Sequence, residues 1–360
     1  MATTFSQRLK DLREKHNLSY QQLADQIGVT KQSIYKFEKG EANPRSDTVL
    51  KLAEFFRRPY SYFYETELSL NFQNVKFRDG HKLFDQAGLE QEIREQIISS
   101  LEKLFQLENL LQVKHVFENP LKEMEIVCEK DIEKAAKIIR KKWKLGSVPI
   151  LDVVDTLEHQ GVVVIEVERL ENFEGLSSMV NEEIPVVVLN ERINIERKRF
   201  TALHELGHLV LDFADHLTDE EVENMCHFFA GAVLVVDEAL YAELGKSRTV
   251  ISLTELKRIK ASYGISIQAI IVRAKNSGFI DHHTFKEWWR NYHEWCKNGE
   301  NGMVEMGRYN SEEKPSRFQK LVVQGVNERK ISWSKAAELS DRRIDALKKE
   351  LTQLNFSVRN

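Results

Sequence analysis

His204-Glu205-Leu206-Gly207-His208 is the part of this sequence best suited to chemistry. Residues four apart share one face of an α-helix, so His204 and His208 can offer two imidazole nitrogens to one metal ion. Glu205 then projects beside the metal, where it can take a proton from a bound water. A catalytic zinc keeps three protein ligands and leaves one position for water, so a third ligand is expected on a following helix. Residues 219–234 supply such a helix, with acidic residues first and a small and apolar face after them. Glu220, Glu221, Glu223, His216 and His227 are all candidates. Glu223, His227 and Ala230 share a face with the apolar side, whereas Glu220 and Glu221 suit a first turn, where acids favour the helix dipole. The chemistry expected is metal-assisted amide hydrolysis with one Zn2+ per chain and Glu205 as general base.

Several elements must position these groups. Leu203, Leu206, Leu209, Val210 and Leu211 clothe the motif in apolar residues, which places it on a buried helix. Residues 162–165 form a strand, and residues 176–180 and 185–190 form a two-stranded unit over the site. An exposed edge of that unit can take an extended substrate as an added strand. Arg197 and Arg199 are electropositive candidates near the carbonyl to be cut, or else partners of Glu191, Glu196 or another acid.

A second constellation lies at the N-terminus. Residues 1–60 hold 11 Lys/Arg and 7 Asp/Glu, a net of +4, while the whole chain is −4, so the remaining 300 residues carry −8. A basic head on an acidic body suits a module facing nucleic acid. Phe5, Leu9 and Leu12 mark one helix. Ser19 caps a second, residues 20–27, Gly28 turns the chain, and Thr30 caps a third that runs to Lys39 and stops at Gly40. This is the helix-turn-helix layout, with a fourth helix around residues 46–56. The outward face of helix three presents Lys31, Gln32, Ser33, Tyr35 and Lys36 to base edges; Tyr20, Gln21, Thr30, Lys39 and Arg45 are placed for phosphates.

Length and composition bound the rest. At 360 residues and 42.0 kDa the chain is expected to hold two or three domains, and 42% hydrophobic with 30% charged residues excludes a mainly disordered chain. The longest strongly apolar stretch, residues 228–236, is too short to cross a bilayer, and no apolar h-region follows the start. Three scattered cysteines make no disulfide framework. A soluble, cytoplasmic protein without a membrane partner is expected. Residues 90–117 read as one long amphipathic helix ended by Asn119-Pro120, either packed on its own chain or forming a homodimer seam. Residues 299–316 read as a loop or mobile linker before short helices at 317–328, 334–339 and 341–351.

Residues 5–65, with the Leu-x4-Leu-Ala-x3-Gly-x5-Ile pattern from Leu18 to Ile34, resemble the XRE/phage-repressor type of DNA-binding domain. Residues from about 130 to 279 resemble the ImmA/IrrE family of zinc-dependent peptidases. The matching pieces include Gly175-Leu176-Ser177-Ser178-Met179-Val180, Arg197-Lys198-Arg199-Phe200, the H-E-x-x-H, and Tyr263-Gly264-Ile265-Ser266. In that family the glutamate opening the Glu…Phe-Ala block is the third zinc ligand, which implies Glu223. The sequence departs from the family at His227, where Asn is usual, and at Val235-Val236, which replaces a common Met-Pro. The resemblances imply an α+β, mainly helical chain. Its parts are a helix-turn-helix bundle (1–65), a linker and long amphipathic helix (66–120), a zincin-like metallopeptidase domain with a small sheet (121–280), and a helical C-terminal region (281–360). They imply a regulator that binds a double-stranded DNA operator and cuts a protein, a transcriptional repressor or itself, with a candidate cut between Arg57 and Gly80. The alternative is a regulator whose peptidase-like domain is a non-cleaving sensor or dimerisation module.

Overall fold

The computed structural model describes residues 4–16, 18–56, 58, 60–63, 76–77, 87–168, 173–180, 183–246, 248–297 and 307–357. By compactness the chain divides into residues 1–70 and 71–360. Much of the expected cleavage region between Arg57 and Gly80 therefore lies outside the described residues.

The first unit holds α1 (Thr4–Lys15), α2 (Tyr20–Ile27), α3 (Lys31–Lys39), α4 (Ser46–Phe55) and a 3-10 turn (Tyr60–Phe63). Local chemistry sets its boundaries. The Ser19 side chain accepts from the Gln22 N–H while Gln22 accepts from the Ser19 N–H, a reciprocal cap that starts α2. Gly28, with φ 74°, takes the left-handed turn that brings α3 back across α2. Leu9, Leu23, Ala24, Ile34, Val49, Leu52 and Phe63 are fully buried, and the Arg13 guanidinium donates to the buried Glu38 carboxylate at 2.6 and 2.9 Å, tying α1 to α3.

The second unit begins with strand β1 (Lys76–Phe77) and α5 (Ala87–Leu111), then β2 (Glu125–Ile126), α6 (Glu129–Lys142) and α7 (Val153–His159). The elements around the paired histidines follow: β3 (Val163–Val167), β4 (Gly175–Val180), β5 (Ile184–Asn190), α8 (Ile195–Val210), β6 (Asp212–Phe213) and α9 (Asp219–Leu234). Then come α10 (Asp237–Leu244), α11 (Leu253–Tyr263), α12 (Ile267–Asn276), α13 (His282–Lys297), α14 (Arg317–Asn327), α15 (Trp333–Leu339) and α16 (Ile344–Ser357). The fold is α+β and mainly helical. None of the described helices alone is long and apolar enough to cross a membrane.

The sheet is larger than the expected two-stranded unit, and the edge of β4 expected to be exposed is covered. It has four strands in the order β1-β4-β5-β3, with β3 parallel and β4 antiparallel to β5. The outer edge of β4 is covered by β1, in the register Lys76↔Met179 and Phe77↔Ser178. The seven residues of β5 are all buried, as a central strand with both faces covered requires.

The helix expected at 90–117 and the loop expected at 299–316 differ from expectation. Helix α5 ends at Leu111, well before Asn119-Pro120, because Gln112 turns left-handed (φ 57°) and the Val113 N–H closes onto the Glu108 carbonyl. Its apolar face, Ile97, Leu101, Leu104, Leu107 and Leu111, is buried, and the helix packs on α14 and β3 of its own chain. Helix α7 starts at Val153 with Asp152 as N-cap, so Pro149 to Leu151 form the approach to the helix. Residues 307–316 are non-helical yet anchored, because Glu313 is fully buried and accepts from the Val153 and Val154 N–H groups at the start of α7, at 2.8 and 3.1 Å.

Candidate metal centre

Helix α8 is capped by Asn194, whose side chain accepts from the Arg197 N–H at 2.8 Å. Ala202, Leu203, Leu206 and Val210 bury one side of it in the main core. Gly207 lets α9 come close: a Cβ there would lie 3.2 Å from the Phe229 ring and 3.3 Å from the Cys226 sulfur. Helix α9 starts on a Thr218–Glu221 capping box, so the Glu221 carboxylate is engaged with the Thr218 N–H at 2.9 Å and the Thr218 hydroxyl at 2.8 Å. Two residues further on, Glu223 turns toward α8.

His204, His208 and Glu223 converge. Their two Nε2 atoms are 3.1 Å apart, and the Glu223 carboxylate oxygens lie 3.3 Å from His204 Nε2 and 3.2 Å from His208 Nε2. Tetrahedral zinc with bonds of about 2.0–2.1 Å holds its ligand atoms about 3.3–3.4 Å apart, so the cluster has the dimensions of a zinc cage. Two neutral imidazole nitrogens facing each other at 3.1 Å also need a cation or a proton between them. Among the described residues, these three alone form such a ligand group. The Cys226 sulfur lies 3.4 Å from His208 Nδ1 and fixes that ring from behind, while His204 Nδ1 is buried without a hydrogen-bond partner. Glu205 is 2% exposed and accepts a hydrogen bond from the Ser177 hydroxyl of β4 at 2.7 Å.

The other third-ligand candidates stand aside. Glu221 belongs to the cap, and Glu220 and His216 are outside the cluster. His227 Nδ1 donates to the Glu223 carbonyl at 2.7 Å, and its ring packs 4.3 Å from that of His204. Burial and the neighbouring His204 hold the His227 imidazole below its ordinary pKa, in the neutral form. His227 is thus a wall of the site with its Nδ1 already occupied.

The expected alternatives for the arginines resolve differently. Arg197 is exposed and pairs with Glu174. Arg199 is fully buried, pairs with Glu313, and donates to the carbonyls of Ile150, Tyr263 and Gly264 at 2.6, 3.1 and 3.0 Å. It is a tether between α8 and residues 307–316. Sequence reasoning overlooked Ser177 and Cys226; the only local signal was two serines in an otherwise apolar strand.

In the head, Gln21, Thr30, Lys31, Gln32, Tyr35, Lys36 and Lys39 are exposed, and Tyr20 and Ser33 are half-buried. Thr30 is engaged as the N-cap of α3, accepting from the Ser33 N–H at 3.1 Å, and Gln21 donates to Asp25 at 2.8 Å. The Tyr20 ring stacks under the Arg13 guanidinium at 4.2 Å and meets Tyr35 edge-on at 5.8 Å. Lys31, Gln32 and Lys36 are exposed outward donors of α3.

Comparison with known proteins places both units. A helix-turn-helix family model matches residues 9–63, and a model of the IrrE N-terminal-like domain, peptidase family M78, matches residues 157–275. Over 55 residues the head is 40% identical to RstR, a transcriptional repressor of the cryptic phage CTXphi in Vibrio cholerae (15% of this chain, 50% of RstR). It is 41% identical over 49 residues to an uncharacterized HTH-type transcriptional regulator of Methanocaldococcus jannaschii (14% of this chain, 74% of that protein). It is also 40% identical over 53 residues to a Pyrococcus furiosus protein named among HTH-type transcriptional regulatory proteins (15% of this chain, 17% of that one). The chain spans half or less of the length of RstR and of the Pyrococcus protein. Through its head the chain belongs to the HTH-type transcriptional regulators, and it carries an IrrE-like peptidase domain behind that head.

Proposed function

We propose that this chain is a DNA-binding regulator and a zinc-dependent endopeptidase in one, cutting a protein to relieve repression. A transcriptional repressor, or the chain itself, is the substrate. The observation that carries this reading is the convergence of His204, His208 and Glu223 at tetrahedral spacing, with Glu205 on the same helix as the histidines and its carboxylate held by Ser177. Zinc bound there would polarise the scissile carbonyl and bring the pKa of a water near neutrality. Glu205 takes the proton of the attacking water and returns it to the leaving amine. Ser177 holds that carboxylate in one orientation, and Cys226 holds the His208 ring.

Elemental mass spectrometry of the purified chain tests the site. About one zinc per chain is expected, lost in His204→Ala and Glu223→Gln and kept in Glu205→Gln. Absence of zinc after incubation with excess metal sinks the reading. Incubation of the zinc-loaded chain with repressors encoded beside it, read by mass spectrometry, then tests cleavage. Zinc binding with no fragment from any of them favours a sensor domain.

A further inference from the structure

The edge of β4 is the natural place for an extended peptide to reach Glu205. Ser177 of β4 touches the Glu205 carboxylate, and a Cβ on Gly175 would lie 2.6 Å from the Thr201 side chain of α8, so this strand runs in contact with the catalytic helix. Its inner edge is fully used by β5 from Gly175 to Val180. An added strand could join only the outer edge. That edge is already taken by Lys76 and Phe77, antiparallel, opposite Met179 and Ser178.

We propose that Lys76–Phe77 is a resident occupant of the peptide-binding edge, so that β1 competes within the molecule against any extended polypeptide bound beside Glu205. This rests on the proposed peptidase reading for what the edge is for; the occupancy itself needs no catalysis. A strand edge accepts one partner at a time, because each outward N–H and C=O makes one ladder bond. An intramolecular partner acts at an effective concentration of about millimolar. Because the pairing rests on backbone bonds that any strand can make, a segment with a long matching run can displace it. The edge is thereby closed to weak, chance peptides and open to a dedicated one.

The test uses the full chain with Glu205→Gln, which keeps any bound peptide intact, with and without the pair Lys76→Pro and Phe77→Pro. Proline gives no ladder N–H and is poorly tolerated inside a pairing. The probe is a fluorescein-labelled synthetic peptide of residues 72–81 added in trans. We expect the proline variant to bind it about tenfold or more tightly than the parent, with faster amide hydrogen exchange confined to residues 176–180. A second variant, with residues 72–81 replaced by Gly-Ser of equal length, guards against misfolding and should behave alike. Equal binding by all three chains, or unchanged exchange in β4, overturns the proposal. Gained binding without zinc uptake supports it while the peptidase reading falls, and zinc-dependent hydrolysis with no gain in binding overturns it alone.

Discussion

The two histidines and Glu223 meet with 3.1–3.3 Å between ligand atoms, which leaves each residue a distinct test. Beyond metal content, Glu205→Gln should lower hydrolysis by about 10²–10⁴-fold at unchanged zinc occupancy, the usual loss of a general base. Ser177→Ala should lower kcat more than it raises KM, because the hydroxyl orients the carboxylate without contacting substrate, and Ser177→Thr should restore part of the loss. Steady-state kinetics on an identified substrate decides both. A pH effect belongs to Asp131 in the first turn of α6. Hydrogen bonds from Lys134 and from the Val127 and Cys128 N–H groups lower its pKa from 3.8 to about 2. Its stabilising contribution is present above the unfolded value and is lost as pH falls through the folded one. The carboxyl carbon should therefore titrate near 2 by NMR, and the stability gap between the native chain and Asp131→Asn should close as pH falls from 4 to 2. Its partner Lys134 is exposed to solvent, so the pair contributes little.

At the scale of elements, α8 is held by a buried ion pair as well as by its apolar side. Arg199 ties it to Glu313, and Glu313 in turn closes the first N–H groups of α7. Gly264, with φ 61°, makes room for this: a Cβ there would stand 2.5 Å from Arg199 Nε. Removing one partner strands a buried charge, so Glu313→Leu should cost about 3–5 kcal/mol in urea unfolding. The double variant Arg199→Met with Glu313→Leu should lose less than the sum of the single losses, because the pair leaves together. Helix α3 offers the contrast. Gln32 and Lys36 are exposed, so Gln32→Ala and Lys36→Ala should leave the melting temperature unchanged. Each should weaken binding to an operator selected from random DNA by about 1–3 kcal/mol where its side chain reads a base.

For the whole molecule, two compact units imply two separable folding problems. The head has its own core from Phe5 to Phe63 and a buried Arg13–Glu38 pair. A fragment of residues 1–70 should therefore give a helical circular dichroism spectrum and a cooperative melt without the body. Its DNA affinity should fall linearly on a logarithmic salt scale, as counterion release demands, and Lys39→Ala, at a position placed for phosphate, should flatten that slope. The fragment failing to fold would show that the head depends on the body.

What the sequence determined was local. Ser19, Gly28, Thr30 and Gly40 act on residues three or four away, so the ends of α2 and α3 were legible to the residue. The same short reach put His204 and His208 on one helical face beside Glu205. The sequence set Glu221 in a first turn and Glu223 on the apolar face, but the packing of α9 against α8 across Gly207 is what brought the Glu223 carboxylate to the two histidines. Likewise Arg199 found Glu313, 114 residues away, and β4 found Lys76–Phe77. Caps and helical spacing are set by bonds within a turn. Partners brought together by the core depend on the rotation and register of whole elements, which no short pattern encodes.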